Sequence, residues 1–113
     1  MCIRIVSLSI TPKEALELLM GEIDGDLIHY EYHQIKENIG FGSVVFEKFY
    51  SRGKSQRMMI VNTENLENVT NATIILSSNW EEYSYDLDFE IWDECMEELM
   101  EILDEYIIDE KIE

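Results

Sequence analysis

The segment SVVFEKFYSRGKSQRMMIVNTE, residues 43–64, restricts the fold of this chain more than any other stretch. Two runs rich in Val, Ile, Phe and Met are separated by a short polar stretch around Gly53. β-Branched and aromatic residues favour strands, and a short interruption that contains glycine favours a hairpin. The segment therefore predicts two antiparallel strands joined by a turn.

Further strands are predicted on both sides of this hairpin. Residues 3–10 are rich in β-branched residues, residues 27–35 alternate as in a half-exposed strand, and residues 72–78 (ATIILSS) form another β-rich run. The stretch ENIGFG is expected to be a loop. NWEEYSYDLD is compatible with a last short strand or with an irregular crossing.

Two helices are predicted, one near each end of the chain. Thr11 as N-cap, Pro12 at the first helical position and Glu14 two positions later form a capping box, and this helix should end by Gly25. The second helix is expected to run from about Phe89 to about Asp109. Its apolar residues recur at helical spacing: Ile91, Cys95, Leu99, Ile102, Leu103, Tyr106 and Ile107.

The order of these elements predicts an α+β fold. A chain of 113 residues fits one domain, here residues 1–113. A strand, a helix, three or four strands mostly in a meander and a last helix favour a two-layer sandwich. We expect a largely antiparallel sheet of 4–5 strands with two helices on one face, in the order β-α-β-β-β-(β)-α.

Negative charge is concentrated at one end of the chain. The formal net charge is −17, of which residues 1–80 contribute −3 and residues 81–113 contribute −14. This balance disfavours nucleic acid and anionic membranes as direct partners and favours a cationic one. With no signal peptide and no membrane span in the sequence, Cys2 and Cys95 are interpreted as reduced thiols of a cytoplasmic protein.

The acidic face of the second helix is the main candidate site. Its members are Asp93, Glu94, Glu97, Glu98, Glu101, Asp104 and Glu105. Such a face is often only solvated, but it also suits docking to a basic protein. Carboxylates four residues apart rise by about 6 Å per step, comparable in scale to phosphate spacing, so the helix could imitate a nucleic acid. Small acidic phage inhibitors of host defence share this composition. We therefore expect a non-enzymatic protein-binding module, with no cofactor.

The alternative function is a small-ligand-binding module that uses an aromatic cluster before the last helix. Its residues are Trp80, Tyr83, Tyr85 and Trp92, although core packing is the more common role of such a cluster. No phosphate loop, nucleophile elbow or metal motif accompanies them, so an enzyme is not expected. His29 and His33 flank Glu31, but on a strand they lie about 13 Å apart, so we interpret them as surface residues without a metal.

A basic cluster surrounds the turn of the central hairpin. It consists of Lys48, Arg52, Lys54 and Arg57. Three interpretations stay open: charged strand-edge residues that deter aggregation, an anion site, or a patch that meets the acidic helix of a second copy in a homo-oligomer.

The central hairpin, followed by ATIILSS and a C-terminal helix, resembles a small uncharacterised bacterial family. That family shares a Val-x-Glu-(Arg/Lys)-aromatic-Ser hairpin, and the chain differs from it by one extra aromatic residue. The resemblance implies an α+β fold and brings no activity with it. The residues that carry it are Val45, Glu47, Lys48, Phe49, Tyr50 and Ser51.

Overall fold

The computed structural model describes residues 2–50, 55–79 and 95–112. The described elements are β1 (Cys2–Leu8), α1 (Pro12–Glu22), β2 (Asp26–Lys36), β3 (Ile39–Tyr50), β4 (Ser55–Glu64), β5 (Thr70–Asn79), α2 (described over residues 95–103), a 3-10 turn (Asp104–Tyr106) and β6 (Ile107–Ile112).

The six strands form one open antiparallel sheet in the order β2-β3-β4-β5-β1-β6. Strands β2 to β5 follow one another as a meander, so the predicted hairpin of residues 43–64 is confirmed as β3 and β4. Strand β1 lies between β5 and β6, and it is antiparallel to both. The α+β class is therefore confirmed, with six strands and two helices among the described residues.

The strand count corrects the expectation of 4–5 strands. Residues 107–109 were expected to end the second helix, but α2 ends at residue 103 and β6 begins at Ile107. The segment IIDEKI is rich in isoleucine, whose χ1 is restricted in a helix and which packs well in a strand. Pairing with β1 also supplies hydrogen-bond partners for the side of β1 that β5 does not cover.

The predicted loop ENIGFG is also shorter than expected. Only Glu37 and Asn38 connect β2 to β3, and Asn38 has a φ of 67°, a left-handed conformation that asparagine adopts more readily than most residues. Gly42 then lies inside β3, close to α1. A Cβ atom there would come 2.7 Å from Leu16 Cδ1 and 2.5 Å from the Glu31 carbonyl oxygen, so the glycine signals a close approach and not a loop.

The predicted start of α1 is confirmed in detail. The Glu14 backbone N–H donates to Thr11 Oγ1 at 3.1 Å, and the Thr11 N–H donates to Glu14 Oε1 at 2.9 Å. These reciprocal bonds satisfy two backbone donors at the helix start. The helix buries Ala15, Leu16 and Leu19 completely.

One hydrophobic core contains residues from both helices and from one face of the sheet. Cross-strand pairing places Val6, Ala72, Ile74 and Val61 on this face, and all four are fully buried. Because the buried residues of α1 and α2 belong to the same core, both helices cover this side of the sheet.

The opposite side of the sheet, called the open face below, carries a second row of mainly apolar residues. Its members are half-buried or exposed, and the strand register aligns them across five strands: Ile3, Ile75, Ile60, Val45 and His29.

Candidate docking surface on the helical layer

The outer side of α2 is acidic, and its inner side packs in the hydrophobic core. Cys95, Leu99 and Leu103 are four residues apart and completely buried. Glu97 and Glu101 lie between them in sequence and are exposed. The predicted apolar stripe is therefore present from Cys95 through Leu103, while Ile91 lies outside the described residues. The spacing that buries this stripe turns Glu97 and Glu101 toward solvent.

The predicted carboxylate row is shorter on α2 than expected. Glu97 and Glu101 lie on the helix, while Asp104 and Glu105 are exposed on the 3-10 turn that follows. Glu105 is therefore not a further step of the same helix. Asp93 and Glu94 lie outside the described residues, so the structure bears on five of the seven predicted carboxylates.

Glu98 has a different environment from its neighbours. Its Oε1 lies 3.3 Å from Lys48 Nζ, and its Oε2 accepts from the Asp24 backbone N–H at 3.5 Å. Lys48 Nζ also lies 4.0 Å from Asp24 Oδ2. The Lys48 and Glu98 side chains are only about one-quarter exposed. This group ties α2 to β3 and to the connection after α1, and sequence reasoning missed it because its three members are far apart in the chain.

The remaining acids of this surface have no ion pair within the described residues. Glu97, Glu101, Asp104 and Glu105 are all exposed, and no described Lys, Arg or His forms an ion pair with them. α1 lies on the same side of the sheet and contributes further exposed carboxylates, Glu14, Glu17 and Glu22, against one lysine, Lys13. The described helical layer is therefore strongly negative at neutral pH.

The described members of the basic cluster do not share an exposed patch. Lys48 and Arg57 are cross-strand neighbours, and both point to the helix-covered side of the sheet. Lys48 binds Glu98, and Arg57 is only 1% exposed. Arg52 and Lys54 lie outside the described residues.

The alternative pocket falls outside the described residues, because Trp80, Tyr83, Tyr85 and Trp92 all belong to residues 80–94. A described groove of about 550 Å³ lies instead beside the end of β1, lined by Ile10, Asn65, Val69 and Ile108 among others. Its Asn65 side chain is already used by the fold. Asn65 Oδ1 accepts from the Gly40 N–H at 2.9 Å, and Nδ2 donates to the Asn38 carbonyl at 2.7 Å.

The two histidines of β2 lie on the open face with Glu31 between them. His29 Nε2 lies 3.4 Å from one carboxylate oxygen of Glu31, and His33 Nε2 lies 3.7 Å from the other. His33 also contacts the Phe41 ring, with centroids 5.1 Å apart. Within residues 2–50, 55–79 and 95–112, no group of three or more His, Cys, Asp or Glu residues has an arrangement that would hold a metal ion.

No family model, curated protein or solved structure matches this chain at a significant level. The function must therefore be inferred from its own geometry and charge. Among the described helices, neither has the length and apolarity that crossing a membrane requires.

Proposed function

We propose that this chain is a non-catalytic binding module whose acidic helical layer docks on a cationic protein surface. The observation that carries the proposal is the group of four exposed carboxylates without an ion pair among the described residues, namely Glu97, Glu101, Asp104 and Glu105. A cationic partner would supply the counter-charges that the described part of the chain does not.

The anchoring of α2 supports this function. Three fully buried side chains hold its inner side, and the Glu98–Lys48 contact holds its flank. The exposed carboxylates of α2 are thus presented from a helix whose position is fixed before binding. Pre-organisation of this kind lowers the entropic cost of association.

The charge itself supports rapid, salt-sensitive association. A surface of one sign steers an oppositely charged partner over distances of about one Debye length, roughly 8 Å at physiological ionic strength. Rim charges act mainly on the association rate. We therefore expect the association rate to fall steeply with added salt.

A narrower form of the proposal is that the partner is a nucleic-acid-binding protein and that the chain inhibits it. Glu97 and Glu101 are one step of about 6 Å apart along α2, and Asp104 and Glu105 continue the negative surface on the next turn. A groove that binds a phosphate backbone presents the positive charge that this row needs. The action would be occlusion of that groove, as in small acidic phage inhibitors of host defence.

The test compares two variants with the same loss of charge. One neutralises the helical layer: Glu97→Gln, Glu101→Gln, Asp104→Asn and Glu105→Gln. The control neutralises four acids away from it: Glu37→Gln, Glu47→Gln, Glu67→Gln and Asp109→Asn. Each immobilised protein is used to capture partners from host lysate, with elution by salt and by duplex DNA, and association rates are then measured on the purified partner.

We expect the wild type and the control to capture the same basic protein and the helical-layer variant to lose it. Elution by duplex DNA as well as salt would identify the partner surface as a nucleic-acid groove, while elution by salt alone would leave only the broader proposal. Equal capture by all three proteins, or capture by none, would contradict the proposed function.

A further inference from the structure

The edge strand β2 reads nearly the same in both directions. Its sequence, DLIHYEYHQIK, has Glu31 at the centre, a tyrosine on each side and then a histidine on each side. Its two ends carry opposite charges, on Asp26 and Lys36. Antiparallel strands face each other in reversed order, so this sequence is complementary to a second copy of itself.

Strand β2 is exposed enough to meet such a copy. It is the terminal strand of the sheet and, among the described residues, pairs only with β3. None of its residues is fully buried, and Leu27, Ile28 and Ile35 each expose half or more of their surface. An edge of this kind presents unpaired backbone N–H and C=O groups to any added strand.

The irregularities of β2 place its two ends and its centre on one face of the sheet. The register with β3 shifts once on each side of the regular segment 29–34, so that each half of β2 contains one extra residue. As a result Asp26, Glu31 and Lys36 all lie on the open face, where they pair with Glu47, Ser43 and Ile39 of β3. The acidic end, the centre and the basic end therefore point the same way.

We propose that β2 pairs with β2 of a second copy of this chain, antiparallel and centred on Glu31. A two-fold axis perpendicular to the sheet then relates the copies and joins their two sheets into one. In this register Asp26 faces Lys36 of the second copy, and His29 faces His33 of the second copy. On the helix-covered side, Tyr30 faces Tyr32 of the second copy.

The pairs at the two ends of this arrangement and on either side of its centre are favourable. Opposite charges and aromatic pairs that face each other across antiparallel strands attract. Leu27 and Ile28 of each copy lie opposite the segment of the other copy that contains Ile35. Pairing therefore covers exposed apolar surface on both copies. The two Glu31 side chains repel each other, but each already lies within 4 Å of two histidines of its own chain.

Charge swaps on β2 test the pairing directly. Asp26→Lys and Lys36→Asp are both at exposed positions, and each places like charges opposite each other at two symmetric points. The double variant Asp26→Lys/Lys36→Asp restores both attractions. A mixture of the two single variants also restores them, but only in the mixed dimer. The measurement is sedimentation equilibrium over a range of protein concentrations at about 150 mM salt, which limits the repulsion between two acidic chains.

We expect the wild type to form a dimer, each single variant to dimerise at least about tenfold more weakly, and the double variant and the mixture to recover. The control Glu67→Lys, in the β4–β5 connection, makes the same change of charge as Asp26→Lys and should dimerise like the wild type or more tightly. A wild type that stays monomeric up to about 1 mM, or single variants that dimerise like Glu67→Lys, would overturn the proposal. If the monomer binds a synthetic strand peptide of unrelated sequence as tightly as it binds a peptide with the sequence of β2, the edge is a site for a foreign strand. That result would also overturn the proposal.

Discussion

The two edge strands of the sheet, β2 and β6, differ in length and in how far along the chain their pairing partner lies. Strand β2 has 11 residues, pairs with its neighbour in sequence across a two-residue turn and carries charges of both signs. Strand β6 has six residues, pairs with β1 from the opposite end of the chain and carries Asp109, Glu110 and Lys111. A short edge strand resists pairing with a further strand, whereas a long exposed edge permits it. The β6 edge therefore offers less backbone for association than the β2 edge, where we propose that a second copy pairs.

The largest effect is expected at the support of the β6 edge. Leu103 is completely buried at the end of α2, immediately before the turn that leads into β6. Leu103→Ala should lower the free energy of unfolding by about 2–5 kcal/mol, because it leaves a cavity in the core. Urea denaturation measures this change. Ile108→Ala is the control, because Ile108 is 64% exposed, and a loss there as large as that of Leu103→Ala would show that β6 itself holds this edge.

A smaller effect is expected at the support of the β2 edge. Asn65 is buried and bonds the backbone of both Asn38 and Gly40, which flank the start of β3. Asn65→Ala should cost about 1–3 kcal/mol because a buried N–H group loses its acceptor. Hydrogen exchange should also be faster around residues 36–40. Asn62→Ala, at an exposed position of β4, should change stability by less than about 0.5 kcal/mol, and equal losses in both variants would contradict the assigned role of Asn65.

The turn into β3 gives the next smaller effect. Asn38 has a φ of 67°, so Asn38→Val should cost roughly 1–2 kcal/mol, since a β-branched residue strains in this region. Asn38→Gly should match or exceed the stability of the wild type, because glycine adopts such a conformation readily. The midpoint of thermal unfolding of the two variants distinguishes these outcomes, and a valine variant as stable as the glycine variant would exclude the conformational explanation.

The smallest effect is expected from the ion pair that connects β1 and β6. Arg4 Nη1 lies 3.7 Å from Glu110 Oε2, and both side chains are about one-third exposed. A double-mutant cycle with Arg4→Gln and Glu110→Gln should give a coupling of about 0.2–1 kcal/mol that shrinks as salt is added. The cycle is needed because Glu110→Gln alone also relieves repulsion in this acidic chain. A coupling above about 2 kcal/mol, or one that salt leaves unchanged, would mean that this contact holds the β6 edge more strongly than its exposure implies.

The two edges also show which elements can be predicted from the sequence and which cannot. Strand β1, helix α1 and the β3–β4 hairpin follow from signals within a few neighbouring residues, such as the Thr11 and Glu14 capping box. Strand β6 follows from pairing with residues at the other end of the chain, and the acidic residues around it mimic the continuation of a helix. The predicted stripe of α2 was therefore right from Cys95 through Leu103 and wrong as a helix for Ile107.

The candidate docking surface was likewise predictable only in part. The exposure of Glu97 and Glu101 follows from helical spacing and was predictable. The binding of Glu98 by Lys48, and the inward direction of Arg57, depend on which face of the sheet α2 covers. Spacing along the chain contains no information about that choice.

The position of β1 between β5 and β6 has a consequence for how the protein is made. Among the strands of this sheet a ribosome releases β1 before the others, yet both of its neighbours in the sheet are synthesised much later. The β2–β5 meander can assemble while the chain emerges. Val6 and Leu8 of β1 stay unpaired until β5 and β6 are synthesised, and until then they are accessible to chaperones. Closing so large a loop is a slow step, so we expect docking of β1 to limit the rate at which the newly made chain reaches its native state.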